Sequence, residues 1–147
     1  MIEEFSIHVS NEKIDYLRKK IELTRWPDEI NDENWSHGTS LTFLKKLSNH
    51  WLNNFNWRDH EQRLNDIGSY KFKSKSGLKI HFLHSKSYKS NGIPLLLTHG
   101  WPGSIQEFLK IIPILQKQSS VPLNIVCPSL PGFGFSDKPT ESGMNSE

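Results

Sequence analysis

The residues best placed to do chemistry lie in one short run, His99-Gly-Trp-Pro-Gly-Ser104. It follows an apolar stretch in which Leu95, Leu96 and Leu97 have the pattern of a strand buried on both faces. Gly100, Pro102 and Gly103 stop that strand and force a turn. Ser104 reads as a helix N-cap, with Glu107 three residues on to complete a capping box. Strand, tight turn and helix start together leave backbone N–H groups free to point at a ligand. That arrangement suits the stabilisation of an oxyanion.

Other chemically capable residues are less well arranged. His81 and His84 sit on or just after an expected strand. Without carboxylate or Cys partners at a set spacing they read as surface histidines and not as a metal site. Cys127 is the single cysteine and reads as a small buried side chain, since no nearby His supports a nucleophile. It allows no internal disulfide, which fits a reducing compartment. Gly132 and Gly134 imitate part of a nucleotide-binding fingerprint, but no G-x-G-x-x-G or G-x-x-x-x-G-K-[ST] run is present. No cofactor and no metal is expected.

The elements that position the turn follow from periodicity. Phe5, Ile7 and Val9 alternate with polar residues and predict a short extended segment. Ser10 or Asn11 then caps a helix over 12–24 with Ile14, Leu17 and Ile21 on one stripe. Trp26 precedes Pro27 and ends it. Residues 28–39 read as loop. A second helix starts at Thr39 or Ser40 and runs to about 54, with Leu41, Leu44, Leu47, Trp51 and Phe55 in its stripe; residues 57–64 make a third. The Trp residues here read as core anchors and not as a ligand cage. After Gly68 the period changes to two. Tyr70 and Phe72 alternate with Lys71, Lys73 and Lys75, a strand with a solvated face. Ser76-Gly77 turns it into a return strand through Leu78, Ile80 and Phe82. Residues 104–117 predict a helix that Pro113 kinks or divides. Leu123-Asn-Ile-Val-Cys127 is a further buried strand, so residues 93–127 form a right-handed βαβ unit with parallel strands.

Composition narrows the classes. The chain has 147 residues and a formal net charge of +2, too small an imbalance for a nucleic-acid binder. Hydrophobic residues are only 35 %, so the core has little margin, and aromatics at 11 % partly compensate. No apolar run reaches the roughly 20 residues of a membrane span, and the N-terminus lacks a signal-peptide pattern. A cytoplasmic location is the expectation.

Taken together, these segments resemble the microsomal-type epoxide hydrolases, a branch of the α/β-hydrolase fold that includes the juvenile hormone epoxide hydrolases. The resemblance is carried by Arg25-Trp-Pro-Asp28, the Trp51…Trp57-Arg58 and Glu61…Leu64-Asn65 spacing, Gly77-Leu-Lys-Ile-His-Phe82, Pro94-Leu-Leu-Leu97 with His99-Gly-Trp-Pro-Gly-Ser104, and Pro128-Ser-Leu-Pro-Gly-Phe-Gly-Phe-Ser136. It implies an α/β chain with a partial α/β-hydrolase fold. Residues 1–66 would be the family's N-terminal helical segment, 67–136 the first strands of the hydrolase core, and 137–147 a disordered tail. It further implies a small-molecule epoxide as substrate, conversion to a vicinal diol through an Asp ester, and a place in xenobiotic or aromatic compound catabolism. In this reading Trp101 gives its backbone N–H to the oxyanion hole. His99, Gly100, Pro102 and Gly103 support the turn, and the Trp101–Pro102 bond is cis.

The chemistry is incomplete in this stretch. There is no G-x-D-x-G or G-x-S-x-G elbow to carry a nucleophile. Asp15, Asp28, Asp32, Asp59, Asp66 and Asp137 all fall in helix or loop contexts, and His99 belongs to the turn, so no nucleophile, acid or base is assigned. The resemblance places the lid Tyr pair and the catalytic His with its acid further along. The expectation is the N-terminal part of an epoxide hydrolase, inactive alone. The alternatives are a non-catalytic partner of a separately encoded C-terminal half, an inactive remnant, or another hydrolase of the fold such as a dehalogenase or esterase.

Overall fold

A computed structural model of the chain describes residues 1–30, 35–89 and 91–144. The chain divides into two compact units, His8–His60 and Met1–Ile7 with Glu61–Glu147. The division falls inside the third helix, not at the expected change of period after residue 66. The first seven residues join the later unit because they pair with its sheet.

The sheet unit contains five strands: β1 (Ile2–Glu4), β2 (Ser69–Lys73), β3 (Lys79–Ser85), β4 (Ile93–Leu96) and β5 (Leu123–Pro128). Their spatial order is β1-β2-β3-β5-β4. β1, β2, β3 and β5 pair antiparallel in turn, and β4 pairs parallel to β5 with Ile93 opposite Leu123. The β4–helix–β5 crossover is thus the parallel βαβ unit that the sequence predicts. Its core is Ile7, Leu64, Leu83, Ile105, Ile112, Ile125 and Cys127, flanked by the half-buried Leu95 and Leu97. Each such aliphatic side chain stabilises the fold by roughly 1.5–3 kcal/mol on burial.

The helical unit holds α1 (Asn11–Glu22) and α2 (Leu41–Asn53), and α3 (Trp57–Ile67) starts in it. Ser40 caps α2 by accepting the Phe43 N–H at 3.1 Å. The Arg58 guanidinium reaches the Asn11 carboxamide at 2.5 Å. No described helix is long and apolar enough to cross a membrane.

Four local expectations need correction. The N-terminal strand lies at 2–4 and not at 5–9. Asn65 explains this: its side chain accepts the Ile7 N–H at 2.8 Å and donates to the Ile7 carbonyl at 2.9 Å, taking the groups a strand partner would use. Second, the Trp residues of α2 and α3 are not buried: Trp51 is 44 % exposed and Trp57 is half-buried. Trp51 shares a helical stripe with Leu44 and Leu47, and no residue of that stripe is buried.

Third, the expected alternation on β2 and β3 is kept only in part: Phe82 is buried and Tyr70 and Ile80 are half-buried, but residues of the other set are covered as well. Lys71 lies opposite His81 and is half-buried, with its ammonium 4.2 Å from the centre of the Phe5 ring, while Phe72 is exposed. A lysine can cover an aromatic face with its stem and charge together, so the pattern of charge alone misreads the face. Fourth, the helix after the turn is split. Ile105–Phe108 is a single 3₁₀ turn, and α4 runs over Ile111–Gln118 with Pro113 in its first turn. A proline ring clashes with the carbonyl four residues back, here that of Leu109, so the break precedes Pro113.

Candidate functional site

The turn grows directly from the end of β4. The Leu97 N–H still bonds the Val126 carbonyl at 2.9 Å, and then the chain leaves the sheet. Gly100, Trp101, Pro102 and Gly103 form a four-residue turn closed by the Gly103 N–H on the Gly100 carbonyl at 2.7 Å, with a cis Trp101–Pro102 bond. A cis-Pro at the third position defines a type VI turn. A side chain at Gly103 would lie within 2.9 Å of the Gly100 carbonyl oxygen, so only glycine closes it. Behind the turn the Ser104 N–H donates to Glu107 Oε1 at 3.0 Å and the Gln106 N–H donates to Ser104 Oγ at 3.3 Å, the two bonds of the expected capping box. The element so capped is only the 3₁₀ turn, which has too few aligned peptides for a substantial dipole. The 3₁₀ turn therefore adds little to whatever the turn's own amides can offer an anion. Among the described residues the Trp101 N–H has no hydrogen-bond partner, and its indole faces solvent.

His99 fixes this turn from behind. Its ring is buried, with 4 % exposed. The Leu130 N–H donates to Nε2 at 3.1 Å, which makes that nitrogen an acceptor. The ring proton is then on Nδ1, directed at the Gly100 carbonyl 3.2 Å away. Phe133 meets the ring edge-on at 5.1 Å. His99 thus joins the turn to the loop after β5, with both ring nitrogens engaged.

That loop, residues 129–137, is itself tied to β3. The Asp137 carboxylate accepts the Lys79 N–H at 2.8 Å, and the Asp137 N–H returns to the Lys79 carbonyl at 2.9 Å. Ser136 Oγ accepts the His81 N–H and donates to the Ser129 carbonyl. Gly134 has φ +51°, and an added side-chain carbon would come within 2.9 Å of Ser129 Oγ. Asp137 is therefore an anchored residue at the start of the segment expected to be a tail.

The structure also corrects the reading of His81 as a surface residue. It is fully buried, with Nε2 3.0 Å from Ser69 Oγ and Nδ1 2.9 Å from Ser129 Oγ. Phe5 and Phe135 pack edge-on against its ring. Burial first, and the Lys71 charge second, lower its pKa from 6.5 to about 4. Strand alternation placed Ile80 and Phe82 inward; the Phe82-Leu83 pair made the register ambiguous, and that ambiguity was the signal for the alternative face. His84 is half-buried and its pKa is lowered, by burial, then by Lys86, against a hydrogen bond to Asn124 that raises it. Cys127 is buried, which pushes its thiol up to about 11 and leaves it unreactive.

The aspartates do not converge on the turn. Asp15 lies in α1, Asp59 and Asp66 in α3, and Asp28 in the loop before α2. Asp59 accepts from Asn56 and Asp66 from Gln62. Asp32 lies outside the described residues.

With this geometry in view, the comparisons are decisive. The family model described as epoxide hydrolase N terminus matches residues 2–108, and the α/β hydrolase fold model matches 93–147, overlapping at β4 and its turn. The chain belongs to the epoxide hydrolase family. It is 37 % identical to epoxide hydrolase 1 of Sus scrofa, over 99 % of this chain and 34 % of that protein. It is 34 % identical to juvenile hormone epoxide hydrolase 1 of Ctenocephalides felis, over 99 % of this chain and 32 % of that protein. Among solved structures, the juvenile hormone epoxide hydrolase of the silkworm Bombyx mori superposes with TM-score 0.85 at 31 % identity, covering 98 % of this chain and 35 % of that one. The epoxide hydrolase of Aspergillus niger superposes at 0.83 with 29 % identity, covering 97 % and 38 %. The chain thus spans about a third of the length of the epoxide hydrolases it matches. The mixed fold, with a helical stretch before a partial hydrolase sheet, is the one the family resemblance implies.

Proposed function

We propose that this chain contributes the first half of an epoxide hydrolase site, in which the Trp101 N–H stabilises an oxyanion. The observation that carries the reading is that N–H group, without a partner, in a turn held by Gly103, the capping box and His99. In the proposed reaction a carboxylate supplied by another segment attacks an epoxide carbon, the C–O bond breaks, and an ester forms. Water then adds to the ester carbonyl, and negative charge develops on its oxygen. A preorganised amide aimed at that oxygen lowers the barrier more than it stabilises the ground-state ester. His99 acts here as a support for the turn and not as the base that activates water, since both its ring nitrogens already have partners.

The nucleophile, the groups that polarise the epoxide, and the water-activating base are supplied by a C-terminal hydrolase half in this proposal. The test is reconstitution. The purified chain alone is expected to convert no styrene oxide to diol, and co-expression with the C-terminal half of a family member is expected to restore turnover. Turnover by the chain alone would sink the proposal. A stable complex without turnover would favour a non-catalytic role.

A further inference from the structure

His81 is a fully buried titratable group to which the proposed reaction gives no part. The two sides of its ring lead to different places. Nε2 meets Ser69 Oγ, and Ser69 belongs to β2, whose bonds run to β1 and β3 and away from the turn. Nδ1 meets Ser129 Oγ at 2.9 Å. Ser129 is buried, and each of its polar groups leads back to His81. Its N–H donates to the His81 carbonyl at 2.8 Å. Its carbonyl accepts from Ser136 Oγ at 2.7 Å, and that same hydroxyl accepts the His81 N–H at 2.9 Å.

The next peptide carries this constraint to the turn. The Ser129 carbonyl and the Leu130 N–H lie in one peptide plane, which has no soft dihedral of its own. Clamping the carbonyl through Ser136 therefore sets the direction of the N–H. That N–H donates to His99 Nε2 at 3.1 Å, and His99 Nδ1 faces the Gly100 carbonyl at 3.2 Å. The same carbonyl accepts the Gly103 N–H that closes the turn.

From this geometry we infer that His81 is a positioning residue for the oxyanion turn, acting through the Ser129–Leu130 peptide plane that holds His99 against the Gly100 carbonyl. The relay itself uses only groups inside the sheet unit, and its catalytic consequence rests on the hydrolase reading. Without the relay, the Leu130 N–H is no longer aimed at Nε2. His99 then loses the donor that makes Nε2 an acceptor, and its proton is free to move between the two nitrogens.

Nitrogen-15 NMR of the His99 ring in the purified chain tests the relay. The unaltered chain should show one tautomer, protonated at Nδ1. The pair Ser129→Ala and Ser136→Ala removes both side-chain links from the plane to His81. It should draw the two ring nitrogens toward an averaged shift, with faster amide exchange at Gly103. Ser129→Ala alone should give a smaller change of the same kind. His81→Leu should also disturb the tautomer, whereas His81→Asn keeps an amide group near the place of Nδ1 and should preserve it. Ser69→Ala removes a bond of the same kind from the other side of the ring and should leave His99 unchanged. A merely structural role for His81 would lower the stability of these variants and leave the tautomer of their folded molecules as it was.

After reconstitution with a C-terminal hydrolase half, the double variant should lose about tenfold or more in kcat with little change in KM, and Ser69→Ala should lose neither. Failure of the unaltered complex to turn over would count against the hydrolase reading, and the NMR result would still decide the relay. An unchanged His99 tautomer in the folded double variant would overturn the inference. So would an equal change in Ser69→Ala, or an unchanged kcat for the double variant in an active complex.

Discussion

The two units of this chain solve the problem of burial differently. In the sheet unit, Leu83, Ile125 and Cys127 are fully enclosed, and among the described residues no buried side-chain nitrogen or oxygen lacks a partner, down to both nitrogens of His81. In the helical unit, Ser40 is the only buried residue among those described. Its apolar stripes, Ile14, Leu17 and Ile21 on α1 with Trp51, Phe55 and Trp57, line a common open groove. Periodicity provides an apolar face and not the layer that covers it. The sheet unit has that layer, from the first seven residues, the 3₁₀ turn and α4. The candidate site belongs to the better-packed unit, where a turn can be held to the accuracy that oxyanion stabilisation requires.

Core truncation should separate the units most widely. Leu83→Ala is expected to destabilise the sheet unit by about 2–5 kcal/mol, whereas Leu17→Ala, at a half-exposed stripe position, should cost about 1 kcal/mol or less. Denaturant melts of the two variants make the comparison, and equal losses would break it.

Acid should act on the sheet unit through His81. Its folded pKa, about 4, is below its ordinary 6.5, so between those values the unfolded chain binds a proton that the folded chain refuses. Stability therefore falls as pH drops from about 6.5 to 4, by up to about 3 kcal/mol from this group. His84 is shifted in the same direction. Stability measured against pH, with His81→Gln as the flattened reference, checks the sign. A smaller effect is expected at the cap of α2. Ser40→Ala removes the acceptor for the Phe43 N–H and should cost the helical unit about 1 kcal/mol, read as faster amide exchange at the start of α2.

What could be read from residues alone follows the same division. The strands after Gly68, the Ser76-Gly77 hairpin, the capping box at Ser104 and the parallel βαβ unit were legible because each rests on a local rule. His81 was not. Its burial depends on Ser69, Ser129, Phe5 and Phe135, which meet only after the sheet forms. The shift of the first strand depended likewise on Asn65, fifty-eight positions from Ile7. Within the site, the turn residues could be named from sequence, but the bond from Leu130 to His99 required the fold. Ser104 and Glu107 predicted a helix start, while Pro113 reduced it to one 3₁₀ turn by acting on Leu109.

The central claim is that the Trp101 N–H stabilises charge in an epoxide hydrolase reaction completed by a second segment. An amide-to-ester replacement at Trp101, made by semisynthesis and reconstituted with a C-terminal hydrolase half, removes that donor and keeps the indole. The account predicts that kcat for diol formation falls by roughly 10²–10³ with little change in KM. An unchanged kcat in the replaced enzyme would contradict it.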